Sequence, residues 1–318
     1  MVIVFSAILI PYTFYSIKVY GFIHSEDKMN SGSIGPNDPR STHWTDFWVA
    51  FASALVMHCA RWVLFNLGGK PLVRAIRIVK PGESKTIEEN SVNTALDHIF
   101  KCLAYTIISI WGYMICKDKA WYPWYLGGPS DGHLDFSAFP MMKHDPDVYM
   151  YMLICSGMPI QNFVSLFIHE RNPDFHEMLL HHIVHTTQMF CCLTVNLTPG
   201  GACSTIMHSV SDIALQSSKI IYLLGRMDGI MKLSVVPLYI AWPYFRLFCF
   251  VSMIYDLYKF EIDPEVKFLE PARGICVVFN SCLAFLNLYW FGLIFKILYR
   301  MAMKGETKDI HNDLSKQD

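Results

Sequence analysis

The feature that most constrains this chain is a series of seven apolar segments, each about twenty residues long. A helix needs about 20 mostly apolar residues to cross the hydrocarbon core of a bilayer. Within lipid, the backbone satisfies its polar groups only in helices or closed barrels. The pattern therefore predicts an all-α fold, a polytopic membrane helix bundle. The segments are residues 47–67, 95–116, 148–168, 178–198, 200–225, 233–257 and 274–299.

The composition agrees with a membrane location. Of the 318 residues, 53% are hydrophobic and only 17% are charged, and the mean hydropathy is +0.30, which is too apolar for an ordinary soluble domain. An eighth apolar segment, about residues 2–20, has no basic leader and contains Pro11, so it predicts an extra N-terminal helix. We divide the chain into an N-terminal segment and loop (1–45), a transmembrane domain (46–300) and a polar tail (301–318).

The charged residues bear on sidedness and on partners. Lys plus Arg (26) nearly balance Asp plus Glu (27), so no global field favours nucleic acid or another polyanion. Lys and Arg are more frequent in the loops at 68–94, 169–177 and 226–232 and in the tail, which predicts that these segments and the C-terminus face the cytosol. The ten cysteines include no CxxC pair, and we interpret them as small core residues rather than disulfide or zinc ligands.

Two adjacent spans carry ionisable side chains in an otherwise apolar sequence. Such side chains are costly in hydrocarbon and usually face a cavity or the interior of a bundle. The histidines of the first span are three or four residues apart and share one sector of a helix, and the ionisable residues of the second span also share a face. These residues are His181, His182 and His185 on the first helix and His208, Asp212 and Lys219 on the second.

The segment between these two spans predicts how they pair. "NLTPGG", residues 196–201, is expected to form the turn that makes the two helices antiparallel neighbours. Counted from Pro199, His185 lies 14 residues before and Asp212 lies 13 residues after. The two residues are therefore expected at about the same depth, within about one helical turn. The two polar faces should then meet in the cytosolic half of the bundle.

Three interpretations of this cluster stay open on residue chemistry alone. A neutral imidazole can accept a proton or attack an activated acyl group, and a carboxylate can orient it. The cluster can instead be structural, with Asp212 and Lys219 as a buried ion pair. "HHIVH" also has the look of the histidine boxes of membrane di-iron enzymes, but the other histidines are scattered, so no metal is predicted. Asp97, His98 and Arg246 are interpreted as separate helix-contact or cavity groups.

The same region carries a family likeness. "RNPDFHEMLLHHIVHTTQ" (171–188) followed by "VNLTPGGACSTIMHSVSDIALQSSKIIY" (195–222) resembles the longevity-assurance motif of the ceramide synthases, which are members of the TLC membrane-domain family. Weaker likeness extends over about residues 45–300. The matching positions fall at the family's spacings without a gap. They are His181, His182, Asn196, His208, Asp212, Lys219 and Tyr222.

Three positions depart from the family pattern. Ser209 stands where ceramide synthases usually have the first of two aspartates that are tied to activity. Pro199 replaces an arginine that is usual in the turn, and Gln216 replaces a glutamate. The missing aspartate keeps a second function open, that of a TLC-domain protein that binds or senses membrane lipid without catalysis.

The resemblance implies an enzyme of the endoplasmic-reticulum membrane. It would be a sphingosine N-acyltransferase that moves a fatty acyl group from acyl-CoA to the amine of a sphingoid base, giving ceramide. Acyl-CoA is then a substrate, and no cofactor is implied. The implied partners are acyl-CoA, a sphingoid base and membrane lipids, without nucleic acid, and both homo- and hetero-oligomers are compatible with the resemblance.

The resemblance also implies roles for individual residues. We assign His182 as general base or transient acyl acceptor, His181 as its partner and Asp212 as the group that orients the imidazole or stabilises its charge. His208 completes the catalytic set. The candidate substrate-binding residues are Asn196, Lys219, Arg171, Arg226, His185 and Tyr222. Of these, Arg171, Lys219 and Arg226 are the cations assigned to the CoA phosphates.

Overall fold

The fold was analysed in a computed structural model. It describes residues 44–78, 83–130, 134, 136, 145–168, 175–194, 197–225, 229–261 and 270–304. The extra helix expected at 2–20 and the tail beyond residue 304 lie outside these residues. The described part of the chain contains ten α-helices and no named strand. They are α1 (Phe47–Leu64), α2 (Lys70–Ile76), α3 (Lys85–Cys116), α4 (Pro146–Cys155), α5 (Gly157–Ile168), α6 (Phe175–Thr194), α7 (Thr198–Leu223), α8 (Gly229–Ala241), α9 (Phe250–Lys259) and α10 (Glu270–Lys304).

Two π-helical segments join α-helices into longer rods. Residues Phe65–Gly69 connect α1 to α2, with a kink at Gly68, where φ is +124°. Residues Trp242–Cys249 connect α8 to α9. An inserted residue that widens a helix is common at functional sites. The second segment is relevant here because it carries Arg246 into the bundle interior.

All seven predicted spans fall on helices. Five helical rods are long and apolar enough to cross a membrane, and this confirms the polytopic all-α bundle. The two remaining helices, α6 and α7, are those with the polar cluster, and their polar and small side chains lower their hydropathy. The five rods are Phe47–Ile76, Lys85–Cys116, Pro146–Ile168, Leu233–Lys259 and Arg273–Arg300.

Helix α7 lies at the centre of the described bundle. It packs most extensively against α3 and also contacts α4, α6, α8, α9 and the Trp242–Cys249 segment. Every residue from Thr198 to Ser209 is buried. Many of these side chains are small, and small side chains let helices approach closely within a membrane. At Gly201, for example, an added Cβ would lie 2.3 Å from a carbon of Met152 on α4.

The turn between α6 and α7 is shorter than the sequence predicted. Helix α6 ends at Thr194 and α7 begins at Thr198, so Pro199 lies in the first turn of α7 and not in the loop. Proline fits there because the N–H groups of a first turn have no intrahelical partner. The register differs from the expected pairing by about one turn, which is the margin that the prediction allowed: His185 faces His208, with ring centroids 5.6 Å apart, and Asp212 lies one turn further along α7.

An aromatic loop covers the end of the bundle opposite the predicted cytosolic end. Tyr122 and Tyr125 are buried. The Tyr125 hydroxyl donates to Asp256 Oδ2 at 3.1 Å, and the backbone N–H of Leu134 donates to the same oxygen at 3.0 Å. Burial, together with the neighbouring Cys203 and Asp256, raises the pKa of Tyr125, which keeps the hydroxyl protonated as a donor. This loop thus anchors α9.

The cysteines correct one expectation. All ten lie in the described part of the chain as thiols outside any disulfide, and seven of them are buried. Cys59 and Cys282 are exposed, so the core interpretation was wrong for these two. They lie on an outer surface that also exposes many large apolar side chains, such as Trp48, Leu55 and Phe285. The outer surface of a membrane bundle faces lipid. An apolar residue can therefore be shielded from water on that surface as well as in the protein core.

The close contact of α1 with α5 gives a stability prediction. A Cβ added at Gly157 would lie 2.3 Å from Ser53 Oγ and 2.6 Å from the backbone nitrogen of Ala54, and the backbone has little freedom to move. We expect Gly157→Ala to destabilise the protein by about 1–3 kcal/mol through overpacking. Thermal unfolding of the purified protein in detergent measures this as a lower midpoint. Gly274→Ala is the matched control, because its Cβ meets nothing within 4 Å and alanine favours helix. Equal midpoints for the two variants would contradict the close contact.

Candidate active site

The polar residues of α6 and α7 meet in the interior of the bundle. The His181 and His185 rings stack, with centroids 5.7 Å apart and planes inclined by 5°, as their four-residue spacing predicted. His182 meets His181 edge to face at 5.4 Å. From the other side, Trp290 of α10 packs its edge against His181 at 5.2 Å. Since His185 also faces His208, the four imidazoles form one continuous cluster, which we call the histidine cluster (His181, His182, His185 and His208).

Each imidazole of the histidine cluster has one buried nitrogen without a hydrogen-bond partner. These atoms are Nδ1 of His181 and His182 and Nε2 of His185 and His208. Nearly all buried polar atoms in proteins are paired, and an unpaired one costs about 1–3 kcal/mol. Four such atoms side by side are therefore the signature of a site that receives a polar group. No other set of neighbouring side chains in the described residues shows as many unpaired nitrogens.

The hydrogen bond of His208 identifies which of its nitrogens is free to accept a proton. Nδ1 lies 2.8 Å from the backbone carbonyl oxygen of Ser204. Because a carbonyl oxygen only accepts, Nδ1 carries the hydrogen, and in the neutral ring Nε2 is left with a lone pair. The ring is held further by Phe250, which meets it edge to face at 4.9 Å. His208 is thus fixed with an acceptor nitrogen exposed to the interior.

Arg246 completes the cluster, and the sequence interpretation of Arg246 as a separate group was wrong. It is buried, and its guanidinium lies 4.3 Å from the centre of the Trp242 ring. Four hydrogen bonds tie it to α7 and α10, and the strongest is an ion pair. Its acceptors are Asp212 Oδ1 (2.5 Å), Ser211 Oγ (2.6 Å), Asn287 Oδ1 (3.1 Å) and the His208 carbonyl oxygen (3.4 Å). A signal existed in the sequence, because an arginine inside a span requires a partner.

Asp97 and His98 form a separate helix contact, as the sequence suggested. Asp97 accepts from Arg61 Nε at 2.8 Å and pairs with Lys101 Nζ at 2.7 Å, which joins α1 to α3. His98 Nδ1 donates to the Gln216 oxygen at 2.6 Å, which joins α3 to α7. Each of these groups has its own partners. They therefore hold helices together and do not extend the histidine cluster.

The candidate substrate-binding residues are dispersed. Lys219 lies seven residues beyond Asp212, about 10 Å along the helix, and is exposed, so the alternative of an Asp212–Lys219 ion pair is not observed. Tyr222 is half-buried and packs near Val235 of α8. Of the three candidates that the structure describes, His185 is in the cluster and Lys219 and Tyr222 are not. Arg171, Asn196 and Arg226 lie outside the described residues.

A narrow cavity adjoins His185 on the side away from the predicted cytosolic end. It lies between α6, α7, α9 and α10, and its far end is closed by Phe136, Leu197 and Gly200. Most of its lining is apolar, but its free space of about 20 Å³ holds about one water-sized group, so an alkyl chain would enter only if the lining side chains moved apart. Its lining residues are Phe136, His185, Gln188, Met189, Cys192, Leu197, Gly200, Gly201, Ser204, Met253, Leu257 and Asn280.

The histidine-box alternative finds no support in the geometry. Across the residues that the structure describes, no group of three or more His, Cys, Asp or Glu side chains is placed to hold a metal ion. The imidazoles of the histidine cluster instead stack or meet at an angle. Their unpaired nitrogens are therefore better suited to hydrogen bonding and proton transfer than to metal ligation.

Comparison with known proteins places this arrangement in a family. The TLC domain model matches residues 95–296, which include the histidine cluster, Arg246 and the cavity-lining helices. This chain belongs to the TLC-domain family. The matched range lies inside the transmembrane domain that the sequence predicted at 46–300.

Several relatives of this TLC-domain protein are named ceramide synthases or sphingosine N-acyltransferases. It is 20% identical to Ceramide synthase hyl-1 of Caenorhabditis elegans over 66% of this chain and 58% of that protein. It is 27% identical to Ceramide synthase 4 of Mus musculus over 65% of this chain and 51% of that protein. Sphingosine N-acyltransferase lag1 of Schizosaccharomyces pombe is 23% identical over 98% of this chain and 76% of its own length. The resemblance to the ceramide synthase family is thereby confirmed, although the chain spans little more than half the length of the first two relatives.

The buried ion pair between Arg246 and Asp212 gives a second stability prediction. Removing one member of a buried pair leaves an uncompensated charge and costs about 3–5 kcal/mol. We expect Arg246→Met to lower the unfolding midpoint strongly, and Arg246→Met combined with Asp212→Asn to recover part of the loss. Arg74→Met is the control, because Arg74 pairs with Glu88 and Glu89 at an exposed site worth at most about 1 kcal/mol. Additive effects of the two buried substitutions would show that the pair is not coupled.

Proposed function

We propose that this TLC-domain protein is an acyl-CoA-dependent sphingosine N-acyltransferase of the endoplasmic-reticulum membrane, with its C-terminus in the cytosol. The observation that carries the proposal is the histidine cluster with its four unpaired nitrogens, of which His185 lines a mostly apolar cavity. The names of the relatives support the same chemistry. An N-acyltransferase needs a base for the attacking amine and an apolar space for the acyl chain. The cluster offers the base, and in this proposal the apolar lining beside His185 opens to admit the chain.

The amine of the sphingoid base must lose a proton as it attacks the thioester carbonyl. In direct transfer, His182 accepts that proton through its unpaired Nδ1 as the C–S bond breaks, and the imidazolium then returns it to the leaving thiolate, so that CoA leaves as the thiol. In a two-step route, an imidazole nitrogen first takes the acyl group and releases CoA, and the amine then attacks the acyl-imidazole. His181 contacts both His182 and His185, so it is positioned as a partner in either route.

Asp212 and Arg246 are assigned a supporting role. The ion pair holds Asp212 as a carboxylate one turn from His208, and Arg246 also bonds the carbonyl of His208 itself. A fixed negative charge at that place stabilises an imidazolium when it forms. The same pair fixes α7 relative to the Trp242–Cys249 segment, so the geometry of the cluster depends on it.

The CoA moiety is assigned to the cytosolic side of the cluster. Its phosphates are negatively charged and stay outside the apolar interior, where Lys219 is exposed as a cation. Arg171 and Arg226 extend this group in the proposal, with Asn196 and Tyr222 as further contacts. Acyl-CoA then enters thioester first, and its chain continues past the histidines into the cavity.

The test of this proposal is acylation of a labelled sphingoid base by membranes that contain the protein, over a panel of acyl-CoAs. We expect ceramide in the wild type and a rate lower by a factor on the order of 10²–10⁴ in His182→Ala, because a positioned base contributes about that much. His176→Ala is the matched control, since His176 is on the same helix but exposed. An unchanged rate in His182→Ala would refute the assignment.

A second candidate function is lipid binding or sensing without catalysis. Ser209 favours it, because this buried residue stands where ceramide synthases usually have an aspartate. If it holds, purified protein retains lipid but forms no ceramide, and Ser209→Asp does not change that result. Ceramide formation by the wild type that His182→Ala abolishes would exclude this candidate.

A further inference from the structure

The cavity beside His185 contains two buried carboxamides that the proposed reaction does not use. Gln188 is 6% exposed and Asn280 is 1% exposed, and both line the cavity. The Asn280 nitrogen donates to the carbonyl oxygen of Cys276 at 2.9 Å, and the Gln188 nitrogen points to Cys192 Sγ at 3.9 Å. Gln188 Oε1 and Asn280 Oδ1 are buried without a partner.

The orientation of the Asn280 amide follows from its bond. A carbonyl oxygen only accepts, so the nitrogen of Asn280 must face Cys276, and the oxygen must be the atom left over. The free Asn280 oxygen is therefore an acceptor that requires a donor, and the free Gln188 oxygen is one as well in the orientation in which its nitrogen faces Cys192 Sγ. With the unpaired His185 Nε2 on the same lining, three side-chain polar atoms of the mostly apolar cavity residues lack a partner.

A saturated alkyl chain would fit this wall poorly. It brings no donor and excludes water, so each carboxamide oxygen that it covers stays unpaired at a cost of about 1–3 kcal/mol. A chain with one hydroxyl donates to such an oxygen and keeps its apolar contacts elsewhere. Sites built to hydrogen-bond a hydroxyl reject analogues without it much more strongly than apolar pockets reject an added methylene.

The position of the carboxamides selects one of the two substrates. Gln188 lies three residues beyond His185 and six beyond His182 on α6, about 4.5 and 9 Å along the helix. If the charged CoA moiety stays at the cytosolic side, the chain that passes the histidines toward Gln188 is the acyl chain. The hydroxyl that reaches Gln188 or Asn280 is then on the half of the chain nearer the thioester.

We propose that this cavity selects hydroxylated acyl chains, whose hydroxyl donates to Gln188 Oε1 or Asn280 Oδ1. The inference rests on the proposed acyl transfer, because that reaction places the acyl chain in the cavity. It adds a substrate class, the hydroxyacyl-CoAs. It also assigns Gln188 and Asn280 as specificity-determining residues.

The experiment compares acyl-CoAs of equal chain length with no hydroxyl, with a 2-hydroxyl and with a hydroxyl in mid-chain. We expect the wild type to prefer one of the hydroxylated chains by about tenfold or more in kcat/KM. Gln188→Met and Asn280→Leu, which keep side-chain size, are expected to reduce this preference about tenfold and to leave the unsubstituted chain unaffected or faster. Gln161→Met is the matched control, because Gln161 is a buried glutamine on α5 outside the cavity.

Binding of the matching labelled fatty acids to the purified protein, with unfolding midpoints as a check on folding, separates this inference from the proposed function. If no ceramide forms but the hydroxylated fatty acid binds more tightly and Gln188→Met removes the difference, the transferase proposal fails and the cavity assignment stands. Equal kcat/KM and equal binding for hydroxylated and unsubstituted chains in the wild type would overturn the assignment. A preference for a hydroxylated chain that remains in both Gln188→Met and Asn280→Leu would also overturn it. A preference that follows the hydroxyls of the sphingoid base, and not those of the acyl chain, would overturn it as well.

Discussion

The interaction on which the rest of the structure depends is the bonding of Arg246 to α7. Lipid offers no hydrogen-bond partners, so a guanidinium inside the bundle must be satisfied by protein. Arg246 meets this requirement with the Asp212 carboxylate, the hydroxyl of Ser211 and the Asn287 oxygen. These bonds join α7, α10 and the Trp242–Cys249 segment around one point, and the histidine cluster lies against it. The contrast is informative: the charged groups are paired, whereas the imidazoles beside them are not.

The central position of α7 explains how a helix with so many polar residues is stable in a membrane bundle. Its neighbours shield it from lipid, and its small residues between Thr198 and Ser209 let them pack closely. The apolar surface that lipid requires is supplied by the other helices, which expose side chains such as Trp48, Ile107 and Phe285. Helix α7 thus provides polar side chains in the interior, and other helices provide the apolar outer surface.

Sequence reasoning predicted the spans well, because hydropathy over twenty residues is a strong local signal. The stacking of His181 on His185 also followed from local spacing. What it missed depends on contacts between distant parts of the chain. Arg246 and Asp212 are 34 residues apart, and no local pattern pairs them. The register of α6 against α7 differed by about one turn, within the predicted margin, because Pro199 was assigned to the loop. Asn280 carries no charge that would have drawn attention to it.

Two of the three departures from the family motif, Ser209 and Gln216, share a side of α7. Ser209 and Gln216 are two turns apart, and Gln216 bonds His98 of α3. Both positions are neutral here, so α7 brings one carboxylate, Asp212, to one guanidinium, Arg246. A second carboxylate at the buried position 209 would require a further cation, because an unpaired buried charge is strongly destabilising. The neutral residues therefore leave a balanced ion pair, and in the proposed reaction Asp212 is the carboxylate of α7 that would stabilise a protonated imidazole.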